Sequence, residues 1–307
     1  NLPVAKIGEK EYYTFQEAFD ACPSDGTETT VEVLRNCTTD MANIIEENKN
    51  IVLDIQSYKI VSGIENLFTN NGKFKIVDSI GNGRIISAKG TILKNEETGN
   101  FAINNITMQM TGSSAIDETI ENKGMLEVTG GVIISDGLKN KCINNIEQGT
   151  VKITGGTVSA YTYAIYNTSS NKIEIEGGTV QATYYYEGYS AIYNNTENGV
   201  VEIKGGLVTN QGKAIENKKG TIKVTGGEIR TTQGDTRYSE CGIYNNGKVI
   251  IEDGKVAALY RGSGIQNEGG TIEITGGTVS APEWYNSIIN RGTLEISGGT
   301  IKSNQKG

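Results

Sequence analysis

Thr150-Val151-Lys152-Ile153-Thr154-Gly155-Gly156-Thr157-Val158-Ser159-Ala160, followed after a short loop by Ala164-Ile165-Tyr166-Asn167, holds the plan of the whole chain. Val151 and Ile153 alternate with Lys152, the two-residue period of a half-buried strand. Gly155-Gly156 supplies a corner, because glycine accepts positive φ without a Cβ clash. Val158 and Ala160 then alternate with Ser159. Ile165 and Asn167 share a parity, so both point inward and Tyr166 points out. Three short strands and three corners in about 22 residues describe one turn of a β-solenoid.

The same marks recur on both sides of that unit. Asparagine stands at Asn48, Asn70, Asn95, Asn122, Asn145, Asn167, Asn194, Asn217, Asn245, Asn267 and Asn290, at intervals of 22 to 28 residues. Between them come Gly130, Gly155, Gly177, Gly205, Gly226, Gly276 and Gly298, each opening a Gly-Gly pair, with Asp253-Gly254 filling the missing beat. Val128, Ile153, Ile175, Ile203, Val224, Ile251, Ile274 and Ile296 fall at one equivalent position, as a stacked β-branched wall requires. The reading is an all-β chain, a single-stranded parallel β-helix solenoid of about 11 coils with an N-terminal helix-containing cap. Asparagine tolerates the corner conformation and can bond to its copy in the adjacent coil. A buried amide left unpaired would cost roughly 1–3 kcal/mol. Asn122, Asn145, Asn167, Asn194, Asn217, Asn245, Asn267 and Asn290 are therefore expected to form a structural ladder. Glu127, Lys152, Glu174, Glu202, Lys223, Ile250, Glu273 and Glu295 take the outward position and read as a solvated face, where ion pairs contribute little.

The first 40 residues depart from the repeat. Thr14-Phe15-Gln16-Glu17 is a capping box that predicts a helix over 14–22, ended by Pro23. Strands are expected around 4–7 and 31–34. Together, 1–40 reads as a lid on the terminal coil, whose open strand edges would otherwise aggregate, and 41–307 as the β-helix. The last repeat still looks like a coil at Ser303, which predicts further coils, a cap or further domains of the same chain beyond it.

Composition narrows the function. Thirty-six acidic against 28 basic residues give a net charge of −8. With no basic stripe, a nucleic-acid partner is not expected. No apolar run approaches the ~20 residues of a membrane span, so membrane insertion is not expected either. The sequence has no histidine, which removes His-dependent acid–base chemistry and, with no CxxC pair, a zinc site. No metal and no cofactor is predicted. Cys142 and Cys241 lie about four coils apart, roughly 19 Å at the β spacing, too far to pair. For Cys22 and Cys37, which flank a loop, both free thiols and a disulfide are open.

The lid, then Lys49-Asn50-Ile51-Val52-Leu53-Asp54-Ile55, Phe74-Lys75-Ile76-Val77-Asp78-Ser79 and the repeated Gly-Gly-Thr-Val/Ile, resembles the right-handed parallel β-helix modules of large Gram-positive surface proteins. These adhesin-type, cell-wall-anchored proteins belong to the pectin-lyase-like superfamily. The resemblance spans nearly the whole chain and implies an extracellular, cell-surface setting. The superfamily's polysaccharide lyases and hydrolases carry aspartate pairs or Gly-His-Gly motifs that this sequence lacks.

One corner varies most: from the glycine mark to the next asparagine the chain takes 12 to 19 residues, against 8 to 11 on the return. Twelve of the 15 tyrosines follow residue 160, nearly all on that edge or on the strand leaving it. Tyr161, Tyr163, Tyr184, Tyr185, Tyr186, Tyr189, Tyr238, Tyr260, Tyr285 and the sole tryptophan, Trp284, are the candidate binding residues. Such rings suit sugars and protein surfaces. Tyr166, Tyr193 and Tyr244 share the outward site before the asparagine. Glu187, Asp235, Arg237, Glu240, Arg261 and Glu283 lie near enough in sequence to add hydrogen bonds. Three readings follow: a non-catalytic module that offers this edge to a glycan or host surface protein; a polysaccharide-active enzyme pairing Glu187 with Asp235 or Glu240; and a structural stalk. The rings packing on one another as an outer core is the plain alternative to all three.

Overall fold

The computed structural model describes residues 2–112, 118–138, 140–184, 188–233 and 240–304. The chain is all-β, a parallel β-solenoid of about 11 turns, in two compact units, Asn1–Val151 and Lys152–Gly307.

In the first unit, a hairpin of Ala5–Ile7 and Lys10–Tyr12 leads into the helix Phe15–Ala21. Thr14 accepts from the Glu17 N–H while the Glu17 carboxylate accepts from the Thr14 N–H, so both halves of the capping box are made. Lys49, itself buried, holds the other end of the helix: its Nζ donates to the carbonyls of Asp20 at 3.0 Å and Cys22 at 2.5 Å. Gln16 covers an exposed strand edge with its amide, accepting from the Ile44 N–H and donating to the Ile44 carbonyl. Phe19 buries its ring against Phe68 and Phe74, and Phe74 against Phe101. All five phenylalanines of the sequence thus gather under the helix, which seals the first coils with aromatic area. The strands stack in parallel columns. One runs Glu28–Val33, Asn50–Asp54, Lys73–Val77, Asn100–Asn104 and Met125–Val128. Another runs Asn43–Ile45, Asn66–Asn70, Thr91–Asn95, Glu118–Asn122 and Lys141–Asn145.

The asparagines stand in register on this second column. Asn70 Nδ2 donates to Asn95 Oδ1 at 2.8 Å, Asn95 to Asn122 at 2.7 Å and Asn122 to Asn145 at 2.7 Å, all buried. Asn48 is not a member. It sits exposed in a turn, and Ile45 is the register partner of Asn70. Next to the helix and its phenylalanines, an aliphatic side chain replaces the amide.

In the second unit the same logic repeats. Asn167, Asn194, Asn217, Asn245, Asn267 and Asn290 are joined by five amide–amide bonds of 2.7 to 2.9 Å. Each glycine of a corner pair has its own reason. At Gly177 a Cβ would lie 2.4 Å from the Thr154 carbonyl oxygen of the preceding coil, whereas Gly178 takes a φ of +73°. Asp253 fits in place of a first glycine because the strand register shifts there, opposite Thr225. Ala164 and Ile165 are both buried although they are adjacent. Strict alternation therefore stops at the corner before each ladder asparagine.

The charged column is less open than its sequence suggests. Glu202 is only 9% exposed, with Lys172 Nζ 2.5 Å from its carboxylate. Lys172 and Lys204 also hold Glu174, at 2.6 and 2.7 Å, and draw its carboxyl down to about 2. These lysines, from the corners flanking the column, convert stacked like charges into a network.

None of the four cysteines is in a disulfide; Cys22, Cys142 and Cys241 are buried and Cys37 half-buried. Burial pushes the Cys241 thiol up to about 12.

Candidate aromatic binding edge

The described aromatics of the second unit divide into two groups. Tyr161, Tyr163, Tyr184 and Tyr189 are half-buried against one another and against Tyr166 and Tyr193. Tyr161 stacks on Tyr184 at 4.5 Å between centroids, and Tyr166 on Tyr193 at 4.7 Å. Tyr163 stands at the centre, edge-on to Tyr166, Tyr189 and Tyr193. Its hydroxyl donates to the Gly188 carbonyl, and burial raises its pKa. These rings form a satellite core of their own, packed across neighbouring coils.

Below them lies a buried charge. Glu216 occupies the outward column between Tyr193 and Tyr244 and is 2% exposed. Lys218 Nζ sits 2.8 Å from one of its oxygens and Lys213 Nζ 3.4 Å from the other. Lys213 also lies over the Tyr244 ring, 4.2 Å from its centroid. A carboxylate flanked by two ammonium groups is compensated where it is buried, and it holds the tyrosines on either side in place.

The second group is open to solvent. Tyr260 is 63% exposed, Tyr285 37% and Trp284 91%. Trp284 has a defined backbone. The Tyr285 N–H donates to the Pro282 carbonyl at 3.1 Å, closing the turn Pro282-Glu283-Trp284-Tyr285. Trp284 is its third residue, with φ +75°. That position of a type II turn favours glycine or asparagine, so a tryptophan there is held against its backbone preference. The Ile265 N–H donates to the Ser287 carbonyl at 3.0 Å, and Ser287 Oγ to the Lys302 carbonyl at 2.7 Å, tying the loop to the coils on both sides.

Beside Trp284 is a cleft of about 210 Å³, lined by Glu240, Gly262, Ser263, Gln266, Trp284, Tyr285, Asn286 and Ile289. Gln266 takes the column position held by Tyr244 in the preceding coil and Ile289 in the next. Its Nε2 donates to Glu268 at 2.6 Å, and Glu268 also receives Arg291. The Ser263 hydroxyl is buried and has no hydrogen-bond partner among the described residues.

Of the residues singled out from sequence, Tyr185, Tyr186, Tyr238, Glu187, Asp235 and Arg237 lie outside the described residues. The structure brings Trp284 and Tyr285 to one cleft with Glu240. Ser263, Gln266 and Asn286 escaped sequence reading; only the column position of Gln266 signalled an outward side chain. Among the described residues no group of three or more His, Cys, Asp or Glu is placed to hold a metal ion, and no helix is long and apolar enough to cross a membrane. No protein-family model, curated protein or solved structure matches the chain.

Proposed function

We propose that this chain is a non-catalytic binding module of an adhesin-type, extracellular cell-surface protein. Its parallel β-helix, of the pectin-lyase-like kind, holds an aromatic loop edge toward a glycan or a host protein. The observation that carries this reading is Trp284, 91% exposed on a turn whose geometry disfavours it. Exposed tryptophan is poor for solubility and good for recognition, since it buries a large area at low conformational cost. Tyr285 lines the cleft beside Trp284, and Tyr260 is a further exposed ring of the preceding coil. A rigid scaffold with variable, aromatic loops at one corner is the usual division of labour in binding modules.

A glycan array and a panel of host matrix proteins, probed with the native chain and with a Tyr260→Ala, Trp284→Ala, Tyr285→Ala variant, test the proposal. Binding that disappears in the variant, without release of reducing ends from any bound polysaccharide, is the expected result. Release of sugar moves the chain to the enzyme class. Binding unchanged by the triple substitution rules out this edge.

A further inference from the structure

We infer that the cleft beside Trp284 seats a single neutral sugar ring, the terminal residue of a glycan, with Trp284 as the stacking platform and Ser263, Gln266 and Asn286 as the groups that read its hydroxyls. This rests on the binding reading above and narrows it to a ligand class. The space is the first reason. A cleft of about 210 Å³ falls below the roughly 300–1,000 Å³ of pockets that enclose drug-sized ligands, so it takes one ring rather than an extended chain.

The chemistry of the lining is the second reason. An indole offers one flat apolar face, which matches the C–H face of a pyranose, and the polar groups stand around it rather than on it. Ser263 brings a buried hydroxyl with no hydrogen-bond partner among the described residues, a group that gains by meeting a ligand hydroxyl. Gln266 has its Nε2 bound to Glu268, which fixes the amide and leaves the carbonyl oxygen as an oriented acceptor. Asn286 is exposed on the same loop as Trp284. Glu240 brings a carboxylate to the lining, which disfavours a uronic or sialic acid and so favours a neutral sugar. Gly262 lets its coil close on Glu240 at the edge of the cleft: its φ is +89°, and a Cβ there would meet the Glu240 carbonyl oxygen at 2.1 Å. The loop is tied down through Ser287 and through the Tyr285–Pro282 turn, so little ordering remains to be done on binding.

Trp284 is the only tryptophan among 15 tyrosines in the sequence, so fluorescence excited at the red edge of the band, where indole absorbs and phenol does not, reports this cleft. The experiment titrates the full chain with methyl glycosides of neutral hexoses and N-acetylhexosamines, with a methyl glucuronide as the charged control, and with the matching oligosaccharides. A saturable change with at least one neutral methyl glycoside, and none with the glucuronide, is expected. The matching oligosaccharide should bind within about threefold of the single ring, and Ser263→Ala and Asn286→Ala should each weaken binding about 5- to 10-fold, the loss of one hydrogen bond. Circular dichroism melts confirm that both variants fold. Oligosaccharides that bind while single rings do not would overturn the single-ring inference and leave the binding module standing. Trp284-dependent binding of a matrix protein with no response to any sugar would do the same. Silence toward sugars and proteins alike would remove both.

Discussion

Asn217→Leu is the substitution that tests the ladder most directly. Asn217 Oδ1 accepts from Asn194 at 2.9 Å, and its Nδ2 donates to Asn245 Oδ1 at 2.8 Å and to the carbonyls of Gly220 and Lys248 at 3.2 Å. Leucine has as many side-chain heavy atoms as asparagine, so no cavity opens. Its methyl groups need more room than the amide contacts of 2.8 and 2.9 Å give, so the lost bonding is the minimum cost. The neighbours are not wholly stranded. Asn194 Nδ2 keeps the Lys219 carbonyl at 2.8 Å, and Asn245 Oδ1 keeps the Gly247 N–H at 3.1 Å. Two amide links and a share of two carbonyl contacts, at about 0.5–1.5 kcal/mol each, sum to about 2–4 kcal/mol. For a unit of this size each kcal/mol moves the melting temperature by about 2–4 °C, so a fall of roughly 4–16 °C is expected. Asn290→Leu is the internal control: it removes a ladder bond of 2.7 Å from Asn267, but Asn290 is exposed and water can replace it. Its cost should stay below about 1 kcal/mol. Differential scanning calorimetry of both variants decides the matter. Equal shifts would refute the claim that buried amide pairing, rather than side-chain shape, stabilises the column.

Trp284→Gly removes a left-handed residue that costs about 1–2 kcal/mol and adds about 0.4–1 kcal/mol of unfolded-state entropy. The glycine variant should therefore melt at or slightly above the native chain and above Trp284→Ala, while both lose binding; an alanine variant more stable than the glycine one would contradict the strain at this turn. Lys49→Met leaves the carbonyls of Asp20 and Cys22 without their charged donor and should destabilise the cap by about 2–3 kcal/mol, seen as faster hydrogen exchange over residues 14–22. Glu174 has its carboxyl drawn to about 2 by hydrogen bonds from Lys172 and Lys204. Since the folded value lies below the unfolded one, its stabilisation is complete above the ordinary carboxylate range and is lost as pH falls from about 4.5 toward 2. Glu174→Gln should flatten the melting temperature over that window, and an unchanged slope would show that other carboxylates carry it.

The coil was legible because every turn repeats the same demands: Ile175, Ile203 and Val224 face the same core, and Gly178, Gly206 and Gly227 the same corner. The lid was legible because a capping box is local, complete within Thr14 to Glu17. Asn48 misled because its spacing fits the repeat, whereas the register partner of Asn70 is set by how the first coil meets the helix. The phenylalanine plug depends on contacts between residue 19 and residues 68 and 74, which no local pattern carries. The same holds for the aromatic edge. Tyrosine enrichment is a property of composition, but whether Tyr163 is a ligand platform or a packing residue depends on Tyr189 and Tyr193 in the next coil. Trp284 gave no sign of its left-handed backbone, since nothing in its neighbours marks that position as a glycine site.

The ladder also has a direction. Within each unit the amide–amide bonds between described residues run the same way, from Nδ2 of one coil to Oδ1 of the next. The backbone imposes this orientation: the Oδ1 atoms of Asn70, Asn167, Asn245 and Asn290 receive N–H groups two residues on, while Nδ2 atoms reach carbonyls. Strand hydrogen bonds leave a sheet with little net dipole, but aligned amides add. The amides of each column thus add to a small electret, in which no interior amide can turn over without breaking the bonds on both sides of it.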